Sequence, residues 1–341
     1  MTPHELHTTA KAMVARGKGI LAMDESTPTI HKRFQKLGIE DSVDNRRAWR
    51  ELLLTTPGLA NHVSGAILYD ETIRQKLADG TPFPEHLKKI GILPGIKVDA
   101  GAKDLAGFAG EKVTEGLDGL RERLAEYKKI GARFAKWRAV ITIGKGIPSH
   151  ACIQANAHAL ARYAALCQEA GLVPIVEPEV LIDGDHTLER CYDASRATLR
   201  RVFSELAMQQ VDFGGMILKA SMVLSGKSCP QHAGIQEVAD ATVRCLLNTV
   251  PAAVAGVAFL SGGQTPEEAS AHLNAMNATY RNLPWPLSFS YARALQDPAM
   301  QAWKGSAANV VAAQKQLAHR ARLNGAAALG NYNAGMEKEA A

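Results

Sequence analysis

A closed parallel (β/α)8 barrel, an α/β fold in one domain over residues 1–341, is the architecture that this sequence predicts. Eight short, apolar, β-prone segments recur along the chain, and a longer stretch with helical periodicity follows them. Strands and helices that alternate in this way form βαβ units, and eight such units close into a barrel. Each apolar segment ends in a polar or small residue. Reactive side chains would therefore meet at the carboxyl ends of the strands, where barrel enzymes carry their active sites.

The predicted strands are assigned in chain order from their runs of apolar residues. They are Gly19–Asp24, Gly65–Asp70, Gly95–Asp99, Phe134–Arg138, Val173–Glu177, Met216–Lys219, Val254–Ser261 and Leu287–Arg293. Four polar residues of the fourth to seventh strands follow each other at intervals of 41, 42 and 42 residues, and they are Lys136, Glu177, Lys219 and Ser261. Such an interval accommodates one strand, one helix and their two connections.

The segments between the predicted strands have the periodicity of amphipathic helices. Before the fourth strand, apolar residues recur at steps of three and four, at Leu117, Leu120, Leu124, Tyr127 and Ile130. After the eighth strand, an alanine-rich helix is predicted from Asn309 to Leu329. Residues 331–341 are expected to form a short, irregular and flexible tail. No second domain is expected.

Composition and charge exclude several classes of protein. Hydrophobic residues make up 46% of the chain and charged residues 21%, as in soluble globular proteins. No apolar run reaches the ~18 residues of a membrane span, and the first residues do not resemble a secretory signal. The five cysteines are odd in number and widely spaced, so we expect a cytoplasmic protein. A net charge of +5 with interleaved signs favours an anionic small molecule over nucleic acid.

Lys219 follows the apolar run Met216–Leu218, so its ammonium is directed toward the interior of a strand. An isolated buried ammonium is costly and tends to lose its proton, and a neutral lysine condenses with carbonyl groups. Lys136 would supply a second cation, and Glu177 and Glu179 would supply acids that move protons. These residues predict Schiff-base chemistry. The alternative is a structural network of buried lysine and glutamate side chains.

Two further segments predict phosphate binding. Ser261 runs into Gly262 and Gly263 before a helix start, and backbone amides freed by glycine can cradle a phosphate that Arg293 would clamp. The alternative for this segment is an ordinary tight turn.

At the first strand, Asp24 lies at the predicted barrel mouth, ahead of Ser26 and Thr29. The two hydroxyls serve either as helix caps or as ligands of a second phosphate, with Arg33 one turn further on. The eleven histidines show no metal-ligand spacing, and no metal site is expected.

Seven motifs in order resemble those of the class I fructose-1,6-bisphosphate aldolases: GKGILAMDES, GIKVDAG, FAKWR, PIVEPEVL, ILKASMV, FLSGGQ and FSYARAL. The resemblance extends from about residue 10 to 335. It implies a tetrameric (β/α)8 lyase that needs neither metal nor cofactor and acts in glycolysis and gluconeogenesis. Such an enzyme reversibly splits fructose 1,6-bisphosphate into dihydroxyacetone phosphate and glyceraldehyde 3-phosphate through a lysine imine.

By motif position, the resemblance implies a role for each residue of the cluster. Lys219 is the Schiff-base lysine, and Glu177 gives and accepts the protons of imine formation. Glu179 helps to hold the lysines, and Lys136 keeps the site cationic. Asp24 contacts the substrate hydroxyl at the bond that breaks, and it competes with Glu177 as the base.

The resemblance also implies two phosphate subsites. The pocket for the phosphate next to the ketone is implied at Ser261, Gly262, Gly263, Ser290 and Arg293. Contacts toward the other end of the substrate are implied at Ser26, Thr29, Arg33 and Arg138.

The sequence departs from the family pattern at two places. Ala100 stands where many members carry a lysine that reaches the distal phosphate, and we hypothesise that Lys103 replaces it through helical spacing. The C-terminal residues lack the functional tyrosine of many animal-type enzymes, and Tyr332 is not an equivalent.

Three alternatives stay open at this point. They are a Schiff-base aldolase that prefers another phosphorylated ketose such as sedoheptulose 1,7-bisphosphate, a metal-dependent aldolase, and a non-catalytic barrel that binds sugar phosphates.

Overall fold

Eight parallel strands close into a barrel in the computed structural model, which describes residues 3–339. The barrel strands are β1 Gly19–Ala22, β2 Val63–Leu68, β3 Leu93–Lys97, β6 Phe134–Ile141, β7 Val173–Val180, β8 Ile217–Ala220, β9 Val257–Phe259 and β10 Leu287–Tyr291. Two short strands, β4 Ala102–Asp104 and β5 Lys112–Thr114, pair antiparallel in a hairpin after β3. The predicted (β/α)8 barrel is confirmed.

A helix precedes the first barrel strand, and further helices follow the barrel strands along the chain. They are α1 Pro3–Met13, α2 Thr27–Gln35, α3 Val43–Leu54, α4 Asp70–Ile73, α5 Phe83–Lys89, α6 Leu120–Ile130, α7 His150–Glu169, α8 Leu188–Met208, α9 Ile235–Leu247, α10 Pro266–Thr279, α11 Arg293–Trp303 and α12 Val310–Ala328. The last agrees with the predicted alanine-rich helix to within one residue at each end. None of the helices within residues 3–339 combines the length and hydropathy that a bilayer crossing requires.

Several strands end before their predicted limits. Strand β1 ends at Ala22 rather than Asp24, and β10 ends at Tyr291, so Arg293 begins α11 instead of closing a strand. These residues leave the sheet because the chain turns outward at the barrel mouth to enter the next helix. In contrast, β6 and β7 pair in continuous register over eight residues, from Phe134 opposite Val173 to Ile141 opposite Val180.

Side chains along each barrel strand alternate between the interior of the barrel and the layer under the helices. Phe134, Ile175 and Ile217 belong to an interior apolar cluster, which α1 covers at the amino-terminal end of the barrel. A Cβ atom on Gly95 would lie 2.1 Å from the Phe134 ring, so glycine is required where this ring crosses β3. Two residues further along each of these strands, toward its carboxyl end, the side chain again faces the interior. These positions carry the charged residues Lys136, Glu177 and Lys219.

The described part of the C-terminal segment contacts the body of the protein. Tyr332 is mostly buried, and its hydroxyl donates a hydrogen bond to Oε1 of Glu337 at 2.8 Å. Glu337 pairs in turn with Arg320 of α12 at 2.6 Å. The flexibility of residues 331–341 stays a prediction, and residues 340 and 341 lie outside the described part of the chain.

Candidate active site

A cavity of about 410 Å³ opens at the carboxyl ends of the barrel strands, within the size range of small-molecule sites. It is lined by all but one of the residues predicted for the site: Asp24, Ser26, Thr29, Arg33, Lys136, Arg138, Glu177, Glu179, Lys219, Ser261, Gly262, Ser290 and Arg293. The remaining residue, Gly263, directly follows Gly262 in the same loop. The structure therefore brings together residues that lie as far apart in sequence as Asp24 and Arg293.

Three neighbouring strands and the end of β1 build a cluster of two lysines and two carboxylates. Lys219 on β8 places Nζ 2.9 Å from Oε1 of Glu177 on β7. Lys136 on β6 places Nζ 2.7 Å from Oδ2 of Asp24 and 3.3 Å from Oε2 of Glu177. All four residues are buried, with exposures between 3% and 8%. Their charges thus interact in a site with little screening by water.

Burial and charge act in opposite directions on the two carboxyl groups of the cluster. Burial alone would raise the pKa of Glu177, but the charges of Lys136 and Lys219 outweigh it and hold the pKa below its usual value. Burial likewise would raise the pKa of Asp24, and the same two lysines lower it. Both carboxyl groups are therefore negatively charged at neutral pH.

The environment of Lys136 is the reverse of the one around the two carboxyl groups, because its neighbours are anions. Burial favours its neutral form, but the carboxylates of Asp24 and Glu177 outweigh burial and raise the pKa of the ammonium above its usual value. Lys136 is therefore a permanent cation between two anions, unsuited to nucleophilic attack because it has no lone pair to offer.

The charge cluster makes stability depend on pH in a specific direction. Glu177 and Asp24, whose pKa values are lowered from 4.5 and 3.8, contribute stability that is fully present above those unfolded-state values. The free energy of unfolding should fall as pH drops from about 4.5 toward their lower folded-state values. Denaturant melts at pH 3 to 6 measure it, and Glu177→Gln should flatten this slope. Glu122→Gln, an exposed control on α6, should leave the slope unchanged; an identical slope in all three proteins would contradict the prediction.

Glu179 faces the cavity as Glu177 does, since β7 continues through Pro178 to Val180 without a break. Its partner is the guanidinium of Arg138. Burial would lower the pKa of Arg138, and the charge of Glu179 raises it instead. Among the described residues Glu179 forms no ion pair with a lysine, which differs from the role that the family resemblance implied.

The loop after β9 offers unpaired hydrogen-bond donors to a ligand. Gly262 and Gly263 adopt positive φ angles of 60° and 95°, and within residues 3–339 neither amide has a hydrogen-bond acceptor. The hydroxyl of Ser290 is buried and also lacks a partner among these residues. A Cβ atom on Gly263 would lie 3.5 Å from Nη2 of Arg293. Unpaired backbone amides and a buried hydroxyl are donors of the kind that bind anions.

The first turn of α2 leaves its hydroxyls available. Ser26 occupies the N-cap position, yet its side chain makes no capping hydrogen bond, and its Oγ instead lies 3.1 Å from Oγ1 of Thr29. The capping interpretation is therefore not the one that the structure adopts. Arg33, one turn on, is bound by the carboxylate of Glu25 and lies 2.8 Å from Oδ1 of Asp297.

Sequence reasoning missed four charged residues that line the cavity: Glu25, Lys32, Lys36 and Lys97. Lys97 ends β3 much as Lys219 lies near the end of β8, and this position was a usable signal. Lys97 pairs with Asp99 at 2.9 Å. The two lysines of α2 could have been found from their spacing, because they share a helix face with Thr29.

The hypothesis that Lys103 replaces a cation at Ala100 is wrong. Lys103 lies on β4, is exposed and does not line the cavity. The hypothesis assumed helical spacing, which returns a residue to a nearby point after three positions. The segment is instead an extended strand of the hairpin, which carries Lys103 away from Ala100.

Within residues 3–339, no group of three or more His, Cys, Asp or Glu side chains could hold a metal ion. The family described as glycolytic fructose-bisphosphate aldolase class-I matches residues 5–341.

Curated relatives match almost the whole chain. Over 333 residues, 97% of this chain and 99% of the relative, the sequence is 61% identical to a probable fructose-bisphosphate aldolase class 1 from Xanthomonas campestris pv. campestris. It is 52% identical to a fructose-bisphosphate aldolase from Drosophila melanogaster over 97% of this chain and 92% of that protein. A solved structure of fructose-bisphosphate aldolase from Plasmodium falciparum superposes with a TM-score of 0.96, at 48% identity and with 97% and 96% of the two chains covered.

Proposed function

This chain belongs to the class I fructose-bisphosphate aldolases, and we propose that it acts through a Schiff base on Lys219. The reaction is the reversible cleavage of fructose 1,6-bisphosphate to dihydroxyacetone phosphate and glyceraldehyde 3-phosphate, in glycolysis and gluconeogenesis. The observation that carries the proposal is the buried Lys219 amine, 2.9 Å from the carboxyl group of Glu177. An amine beside a proton acceptor meets the first requirement of imine formation.

In imine formation, Glu177 first accepts a proton and later returns it. Glu177 accepts a proton from the Lys219 ammonium, and the neutral amine attacks the C2 carbonyl to give a carbinolamine. The same carboxyl group then returns a proton to the C2 hydroxyl, which leaves as water while the protonated imine forms. Because nearby cations hold the pKa of Glu177 low, its carboxylate is the resting form and is ready to accept a proton.

Cleavage follows because the iminium is an electron sink. A base removes the proton of the C4 hydroxyl, the C3–C4 bond breaks, and C4 becomes the aldehyde of glyceraldehyde 3-phosphate. The bonding electron pair forms an enamine, which takes a proton at C3 before water hydrolyses the imine and releases dihydroxyacetone phosphate. Asp24 and Glu177 compete for the role of base, and Lys136 contacts both of them.

The phosphate groups orient the substrate along the cavity. We assign the phosphate next to the ketone to the amides of Gly262 and Gly263, with Ser261, Ser290 and Arg293. The unpaired amides and the buried hydroxyl support this assignment, since a phosphate supplies the acceptors that they lack. Ser26, Thr29, Arg33 and Arg138 are assigned to the other end. Glu179 positions Arg138 through their ion pair.

Three further properties follow from membership of class I, and they belong to the same proposal. We expect an enzyme that needs no metal ion, because the iminium supplies the electron sink that a metal would otherwise provide. We expect a cytoplasmic location, which the five buried and unbridged cysteines support. We expect a homotetramer, and light scattering measures its mass.

Borohydride trapping tests the proposed function directly. The parent protein is incubated with dihydroxyacetone phosphate, reduced with borohydride in the presence of a chelator, and weighed intact. We expect one adduct per chain, because hydride converts the iminium to a stable secondary amine. Omission of the substrate is the control. An unmodified parent, together with cleavage activity that the chelator abolishes, would overturn the Schiff-base mechanism.

A further inference from the structure

Helix α2 turns a basic face toward the cavity. Thr29, Lys32, Arg33 and Lys36 all line the cavity wall, and their steps of three and four residues place them on one side of the helix. Lys36, at the C-cap of α2, is the furthest of them from the helix start. It is not among the contacts that the family motifs imply.

The cations around the cavity differ in whether a carboxylate already neutralises them. Arg33, Lys97 and Arg138 are each paired with an acidic side chain. Lys32 and Lys36 are exposed, and within residues 3–339 neither forms an ion pair. Like charges four residues apart on a helix repel each other, so this pair costs stability until an anion lies beside it. Two neighbouring lysines without carboxylate partners on a cavity wall favour a ligand that places a phosphate beside them.

The position of Lys32 and Lys36 on α2 indicates which of the two substrate phosphates they contact. The same helix and its N-cap carry Ser26, Thr29 and Arg33, which are assigned above to the distal phosphate, whereas Arg293 and the glycine amides are assigned to the phosphate next to the ketone. Ala100 carries no charge, and Lys103 does not line the cavity. Lys32 and Lys36 are the described cations of this helix face that no motif explains and no carboxylate neutralises, and of the two Lys36 lies further along the helix from Ser26.

We propose that Lys36 binds the distal phosphate of the bisphosphate and thereby sets the preference for bisphosphate over monophosphate substrates. This inference rests on the proposed aldolase function and adds a specificity-determining residue to it. The ammonium supplies the charge that is absent at Ala100, from a helix rather than from the loop after β3. Because Lys36 is exposed in the free protein, its contact with phosphate is partly screened, and its effect is smaller than that of a buried contact.

The test compares two substrates that differ by the distal phosphate alone. In Lys36→Gln, kcat/KM for fructose 1,6-bisphosphate should fall about fivefold to tenfold, mainly through KM. The value for fructose 1-phosphate should stay unchanged, because this sugar has no group for Lys36 to bind. Lys36→Arg should restore most of the loss. Lys103→Gln, which removes an equally exposed lysine outside the cavity, is the matched control.

Two results would overturn the inference: equal losses with both sugars, or no loss with either. Equilibrium binding of the two sugars by calorimetry, with Lys36→Gln placed in a Lys219→Ala background, gives the same contrast without turnover. A parent that neither cleaves fructose 1,6-bisphosphate nor forms a trapped adduct would instead overturn the proposed function. The calorimetric contrast still decides the role of Lys36 in that case.

Discussion

Lys219→Ala is expected to lower kcat/KM for fructose 1,6-bisphosphate by about 10⁵-fold or more, the scale on which loss of a covalent nucleophile acts. Alanine removes the amine that forms the imine, and without the iminium the C3–C4 bond has no electron sink. The adduct trapped by borohydride should disappear at the same time. Intact mass and a coupled assay of triose phosphate release measure the two effects.

The charge-preserving variant Lys219→Arg separates chemistry from structure. A guanidinium can pair with Glu177, which lies 2.9 Å from the Lys219 nitrogen in the parent, but it cannot form the imine, so this variant should be as inactive as Lys219→Ala while unfolding closer to the parent. Circular dichroism melts check that both variants are folded. An adduct that persists in either variant would contradict the assignment and would direct attention to Lys136.

Glu177→Gln is expected to lower kcat by about 10² to 10⁴-fold, the usual contribution of a general acid or base, with KM nearly unchanged. Glutamine has the same shape but cannot accept the proton of Lys219 or return one to the departing hydroxyl. Imine formation with dihydroxyacetone phosphate, followed by timed borohydride quenching, should slow in parallel with kcat. A normal rate of imine formation in this variant would assign the proton transfer to another group.

The same timed quench decides between the two candidate bases. If Asp24 removes the C4 hydroxyl proton, Asp24→Asn should form the imine at a near-normal rate yet cleave fructose 1,6-bisphosphate slowly. If Glu177 does so, Asp24→Asn should lose mainly substrate affinity. Both variants also remove one of the two anions beside Lys136, so each is compared with the parent at a pH where all three proteins are folded.

Local pattern was enough to predict the barrel and most of its reactive layer. The alternation along Phe134–Arg138 and the steady interval between strands placed Lys136, Glu177 and Lys219 at the same level of the barrel. These are properties of the backbone, which repeats every two residues in a strand. Glu179 follows the same rule and faces the cavity, because the sheet continues through Pro178.

Pairing between distant residues was not predictable in the same way. The ion pair of Arg33 with Asp297 joins positions 264 residues apart, and no periodicity carries such information. The hypothesis for Lys103 failed because it assigned helical spacing to a short extended segment. Lys36 was missed because a lysine on a helix is usually solvated, although its spacing from Thr29 and Arg33 was a usable signal.

The register between β6 and β7 has a consequence for folding as well as for catalysis. A slip of two residues would keep every apolar side chain on its present face. It would also move Lys136 along Glu177 by roughly 7 Å, at about 3.3 Å per residue. The 3.3 Å contact between Lys136 and Glu177 would then be lost, and each charge would keep only one of its two partners in the cluster. Hydrophobic alternation alone is compatible with more than one register between these strands, and the buried charges favour the present one.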